Sequence, residues 1–250
     1  MSELALQLIR EAKEKRLTRL DLGNCGLTEL PDELFELDWL EELVLGNDWF
    51  EFQPTSCKWT HHQSVNNETQ NQIQTISGQI RVLTKLKTII AQANIIRDLT
   101  PILSLSQLQV LDLNNNQISD IAPLAALNQL QSLDLSSNQI SDIAPLAVLH
   151  QLQSLDLRSN QISNLASLGA LNQLQAIDLN INQINDLAPI ASLNQLQSLQ
   201  LAYNQINDLA PIASLNQLQS LNLSINQISD LAPIASLNQL KSLDLSINQI

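Results

Sequence analysis

Aromatic side chains make up only 3 % of this sequence, although 44 % of its residues are apolar. Such a core has to be assembled from Leu, Ile and Ala, which suits regular layers. Cysteine is just as scarce: Cys25 and Cys57 are too few for a disulfide framework. Bases are outnumbered, 12 Lys and Arg against 25 Asp and Glu, for a formal charge of −13. That balance argues against nucleic acid and anionic membrane as partners, since both are held by a surplus of Lys and Arg. No apolar run reaches about 18 residues, so nothing reads as a transmembrane helix. The start, Met1-Ser2-Glu3-Leu4, has neither a basic flank nor an uninterrupted apolar stretch, and no targeting signal is read there. The expectation is a cytoplasmic protein. Under it the sequons at Asn67 and Asn222 carry little weight, because glycosylation requires secretion. The glycines (Gly23, Gly26, Gly46, Gly78, Gly169) form no phosphate-cradling motif. No nucleophile–base constellation stands out, so no catalytic residue and no cofactor is expected.

What the sequence has in abundance is a repeat. Asparagine recurs at Asn94, Asn116, Asn138, Asn160, Asn182, Asn204, Asn226 and Asn248, in steps of 22 residues. The preceding step, from Asn71 to Asn94, is 23. Each Asn follows apolar residues eight, five and three positions back and precedes one two positions on. Around Asn138 these are Leu130, Leu133, Leu135 and Ile140. Leu133 and Leu135 lie on one face of a short strand, because strand side chains alternate. The same strand in the next coil then sits about 4.8 Å away, giving a parallel sheet along one side of a stack. The Asn amide can both donate and accept, so a ladder of them satisfies turn groups that water cannot reach. Pro123, Pro145, Pro189, Pro211 and Pro233 keep the same period and forbid long helices.

The pattern L-x-x-L-x-L-x-x-N-x-I-x-D-[IL]-x-P-[LI] resembles the leucine-rich-repeat family, in the 22-residue subclass also used by internalins. It covers roughly residues 83–250, and residues 182–199 recur letter for letter at 204–221. The resemblance implies an α/β repeat solenoid: a right-handed coil stack with a concave parallel β-sheet, a convex side of short 3₁₀ turns, and a helical N-terminal cap. Leu17, Leu20, Leu22, Cys25 and Leu27 fit the same template, with Cys in the ladder position. Residues 1–16 read as the capping helix, with Leu4, Leu8, Ile9 and Ala12 on one face. Residues 17–250 are then about ten coils. Residues 48–70 break the period. As a coil they would bury Gln63, Asn66 and Glu68 where Leu belongs, at a cost of several kcal/mol. Spliced out, they leave Leu40, Leu43, Leu45, Asn71 and Ile73 restoring the template, so 48–70 is read as an inserted loop.

The candidate binding residues lie in two places. On the concave face, side chains between the core leucines are expected to point to solvent. They run Asp21, Val44, Ile90, Asp112, Asp134, Asp156, Asp178, Gln200, Asn222 and Asp244. Residues 101–250 carry ten acids and two bases. Five of those acids stand in this column, and Asp120, Asp142, Asp186, Asp208 and Asp230 precede the convex turns as caps. Neighbouring carboxylates in the column repel by about 1 kcal/mol in water. Either they form an electrostatic groove for a Lys/Arg-rich segment, or they are solvated residues of the consensus. The second place is the loop, where Trp49, Phe50, Phe52 and Trp59 are either interface anchors or cover for the adjacent coils. Cys57, His61 and His62 lack a fourth ligand and a trusted zinc spacing, so no metal site is assigned. Asn164, Ser167 and Gly169 replace the usual Asp, Pro and Ala of one coil, which predicts a looser convex turn there.

The expected function is a non-catalytic scaffold that binds a protein or peptide, a basic one in the groove reading, on the concave face. The alternative starts from the chain stopping in mid-coil at Asn248-Gln249-Ile250 without a polar cap, which suggests a longer protein. The N-terminal helix, the stretch from Leu20 to Leu27 and the aromatic insertion are similar to the start of bacterial Roco proteins. That likeness implies the recognition arm of a Ras-like signalling GTPase, with no GTPase residue in this chain. An adhesion role like that of internalins is disfavoured by the missing export signal.

Overall fold

The computed structural model describes residues 2–53 and 58–250, with 49–53 and 58–59 as backbone only. Helix α1 (Glu3–Lys15) begins at Ser2, whose hydroxyl accepts from the Ala5 N–H at 3.3 Å. It ends at Arg16, which takes a left-handed conformation. Ala5, Ile9 and Ala12 are buried, and Leu4 and Leu8 pack against the same cluster. The helix therefore covers the leucines that the end of a solenoid would otherwise leave bare.

Each coil contributes one strand of three residues to a ten-stranded sheet. These are β1 (Arg19–Asp21), β2 (Glu42–Val44), β5 (Thr88–Ile90), β6 (Val110–Asp112), β7 (Ser132–Asp134), β8 (Ser154–Asp156), β9 (Ala176–Asp178), β10 (Ser198–Gln200), β11 (Ser220–Asn222) and β12 (Ser242–Asp244). All pair in parallel and in coil register, so that Leu133 faces Leu155 and Asp134 faces Asp156. β3 (Asp48–Gln53) and β4 (Lys58–Gln63) stand apart as an antiparallel hairpin between β2 and β5. The other side of the stack consists of 3₁₀ turns, from Asp32–Glu36 to Ala232–Ser236. Pro at the start of most of these turns pre-sets φ and removes an N–H. Before six of the turns a carboxylate two residues ahead of the first N–H accepts from it, as Asp120 does from Ala122 at 2.8 Å and Asp142 from Ala144 at 2.9 Å. Leu and Ile from every coil merge into one buried cluster running the length of the chain.

The strands are short because the residue before each ladder Asn turns the chain with a positive φ, 52° at Asn115 and 54° at Ser137. The turn directs carbonyls inward, and the Asn amide meets them. Asn138 Nδ2 donates to Leu113 of the preceding coil at 3.0 Å and to Leu135 and Ser136 of its own at 3.0 and 3.1 Å. Its Oδ1 accepts from the Ile118 N–H at 3.0 Å. The same bonds recur at Asn94, Asn116, Asn160, Asn182, Asn204 and Asn226. Asn248 repeats them to Leu223 and Leu245. Asn71 binds the Leu22 and Leu45 carbonyls at 2.8 Å each, and Ile73 is buried.

The looser turn expected at Asn164–Gly169 is not seen. Its 3₁₀ turn spans Ala166–Ala170, as long as the one before it, and Asn164 Oδ1 accepts from Ala166 at 2.9 Å as Asp does elsewhere. A Cβ on Gly169 would stand 2.8 Å from the Pro189 carbonyl oxygen, so glycine admits the next coil, whose own turn is the short one (Ala188–Ile190).

Asn160→Ala leaves the Ile140 N–H and the Leu135 and Leu157 carbonyls without their side-chain partner. A loss of about 3 kcal/mol or more is expected, read as a lower urea midpoint. An unchanged midpoint would contradict this role for the ladder.

Candidate partner-binding face

Three columns of side chains face outward from the sheet. The central one stacks Asp112, Asp134, Asp156, Asp178, Gln200, Asn222 and Asp244 in strict register. The expectation that it points to solvent is corrected for its first half: Asp112 is 4 % exposed and Asp156 5 %. Asp134, Asp178, Gln200 and Asn222 are half-buried, and Asp244 is exposed. The reason is local. Each short carboxylate bends onto the backbone N–H two residues ahead: Asn114 at 3.0 Å, and Ser136, Arg158 and Asn180 at 2.9 Å. This closes an Asx turn at the strand exit. Asn222 and Asp244 do the same for Ser224 and Ser246. Gln200 is a methylene longer, and its amide bridges the Ser198 and Ser220 hydroxyls at 3.2 Å each. The Ala202 N–H that Gln200 leaves open is taken by Asn180 Oδ1 at 2.6 Å. A backbone requirement thus accounts for Asp or Asn in this column.

Burial pushes the Asp112 and Asp156 carboxyls well above the ordinary range. The charge of Asp134 adds to the shift at Asp112, and the charges of Asp134 and Asp178 add to it at Asp156. Asp134 and Asp178 are raised as well, chiefly by burial. Arg158, which the sequence reading did not single out, lies beside this stack with Nη2 3.5 Å from Asp156 Oδ2. Ser154 shares the strand face of Asp156, and its buried hydroxyl has no hydrogen-bond partner among the described residues. Toward the N-terminal end the column is apolar, and Val44 and Ile90 pack with Val110.

The side chains of Trp49, Phe50, Phe52 and Trp59 lie outside the described residues; their backbones pair Trp49 with His62 and Phe52 with Trp59. The segment after the hairpin docks on the first coil. Ser64 Oγ donates to Asp21 Oδ1 at 2.8 Å, and Asn66 Nδ2 donates to the Asp21 and Gly23 carbonyls at 3.0 Å. A Cβ on Gly23 would fall 2.0 Å from the Gly46 carbonyl oxygen and 2.8 Å from Ser64, so only glycine fits. Cys57 also lies outside the described residues, and among those described no three His, Cys, Asp or Glu gather as a metal site. Burial and the nearby Asp21 and Glu68 push the Cys25 thiol up to about 11, so it stays protonated and unreactive at neutral pH.

Comparison with known proteins agrees with this geometry. The family described as "Leucine Rich repeats (2 copies)" matches residues 106–148 and 194–236. Further leucine-rich-repeat profiles match 128–184 and 16–37. A comparison with curated proteins yields no match. Among solved structures, internalin C2 of Listeria monocytogenes is 39 % identical over 70 % of this chain and 77 % of that one, with a TM-score of 0.69. Another Listeria monocytogenes internalin is 29 % identical over 99 % of this chain and 69 % of that one, with a TM-score of 0.84. The leucine-rich-repeat ectodomain of an Arabidopsis thaliana membrane receptor kinase, solved in complex with Casparian strip integrity factor 2, is 27 % identical. It is matched over 92 % of this chain and 27 % of that one, with a TM-score of 0.74. These relatives overturn the expectation of a cytoplasmic protein: they are internalins and the ectodomain of a membrane receptor, which faces outside the cell. That expectation rested on the unread targeting signal and on scarce cysteine together. Here the coils are joined by Asn amides and leucine packing, so the number of disulfides says nothing about compartment.

The raised carboxyls set the direction of a pH dependence. Each binds its proton more tightly folded than unfolded, so the native state holds more protons upward from the ordinary value of 3.8. Their stabilisation is full below that value and is lost as the pH rises through the folded pKa. The urea midpoint is expected to be higher near pH 5 than near pH 7, and the Asp112→Asn/Asp156→Asn variant should show a smaller difference. A midpoint that rises from the lower pH to the higher would refute the assignment.

Proposed function

We propose, from the premise that this chain belongs to the leucine-rich-repeat family in its internalin-like subclass, that it is a non-catalytic scaffold holding a protein or peptide against its concave face. The observation that carries the reading is the continuous in-register sheet, whose outward flank is built from small side chains: Ser132, Ser154, Ala176, Ser198 and Ser220. Small residues let a partner approach the backbone, and a locked floor loses little entropy on binding.

Within that reading, Asp134, Asp178, Gln200, Asn222 and Asp244 make the contacts. Asp112 and Asp156 are buried, so they shape the floor without touching a partner. Trp49, Phe50, Phe52 and Trp59 are a second proposed anchor. The Roco-like alternative, a sensing arm for a GTPase, gains no support from the internalin and receptor relatives.

A photo-reactive residue at Ser198 or Gln200 should cross-link a bound partner, and one at exposed Gln195, outside the sheet, should not. Affinity should fall from low to high salt. Cross-links from Gln195 alone would move the site off the concave face, and salt-independent binding would remove the electrostatic component.

A further inference from the structure

The positive-φ residue before each ladder Asn changes character along the chain. In the coils of Asn116, Asn138 and Asn160 it is Asn115, Ser137 and Ser159; in the next four it is Ile181, Tyr203, Ile225 and Ile247. The backbone there is the same, with φ of 52–56° in the first group and 54–57° in the second. Asn suits that conformation and Ser is small and unbranched, whereas β-branched and bulky side chains are strained in it. The coil imposes the angle: the Ile181 N–H donates to the Ala202 carbonyl at 2.8 Å, that of Tyr203 to Ser224 at 3.0 Å, and that of Ile225 to Ser246 at 2.8 Å.

Nothing in the core repays this strain. None of the four side chains belongs to the buried clusters. Ile181 is 49 % exposed, Tyr203 55 % and Ile247 72 %, with Ile225 half-buried. One coil apart, they form a continuous apolar row along the edge of the sheet where the strands end. Its surroundings are mostly acidic: residues 158–247 contain Asp178, Asp186, Asp208, Asp230 and Asp244 against Arg158 and Lys241. Strain held without a folding return points to use.

We propose that Ile181, Tyr203, Ile225 and Ile247 are a docking strip for a basic, amphipathic segment of another protein. The segment sets its apolar side chains on the row and its Lys or Arg side chains toward the surrounding carboxylates. This deepens the protein-binding reading and rests on it, but the strip borders the concave floor and shares with it only the carboxylates Asp178 and Asp244.

The test uses a fluorescent synthetic peptide of alternating Leu and Lys, with Ser/Lys and Leu/Glu versions as controls, and the Ile181→Asn/Tyr203→Asn/Ile225→Asn variant. The Leu/Lys peptide should bind the unsubstituted chain and bind the variant about tenfold more weakly or worse, and neither control peptide should bind. The variant should melt no lower than the unsubstituted chain, because Asn accepts the left-handed angle. Equal binding to chain and variant would overturn the strip, leaving the concave floor to be judged by its own cross-links. A clearly lower melting temperature would overturn it too, by assigning the side chains to the fold. A dimer that sedimentation finds for the unsubstituted chain and not for the variant would make the occupant a second copy, also contrary to the proposal.

Discussion

The amide of Asn138 binds carbonyls of two successive coils while accepting an N–H from the earlier one, and most other regularities of the molecule depend on that exchange. A chain leaving a three-residue strand through a positive-φ turn would otherwise bury unpaired backbone groups at every coil. The amide answers them at the same place each time, which fixes the period at 22 and holds the sheet in register. It also joins neighbouring coils without disulfides, so two cysteines suffice for a chain of this length.

The first coil shows what happens when the amide is missing. Cys25 is buried at the ladder position but has no amide to offer. The Leu22 carbonyl keeps the ordinary bond from the next coil's Asn71, and that of Gly23 is taken instead by Asn66 and Ser64, which the chain brings back after the hairpin. The excursion between β2 and β5 therefore completes the first coil's hydrogen bonding, whatever else its aromatic strands do. Its cost in close approach is met by Gly23, which leaves room for both Ser64 and the Gly46 carbonyl.

The period, the inward leucines and the recurring Asn were legible in the sequence because each obeys a local rule that repeats. The docking of Ser64 and Asn66 on Asp21 was not, since it joins residues more than 40 positions apart with no pattern to announce it. The concave column was legible as a position but misread as an environment. Alternation says that Asp112 and Asp156 leave the core side of the strand, but not that each carboxylate turns back to the N–H two residues on. Arg158 was counted as a charge without being placed beside the column. The apolar row from Ile181 to Ile247 was hidden differently: its residues look ordinary until the backbone angle is known.

The letter-for-letter recurrence of 182–199 at 204–221 bears on how such a molecule changes length. Two coils that present the same surface to their neighbours can be followed by either one, so removing a unit joins ends that already fit and adding one creates no new interface to solve. The array behaves as a ruler graduated in single coils, whose reach can be lengthened or shortened by unequal exchange between copies while both ends stay as they are. Sequence drift at Asn164, Ser167 and Gly169 then serves as a register mark, because a coil that differs from its neighbours can no longer be traded silently for them.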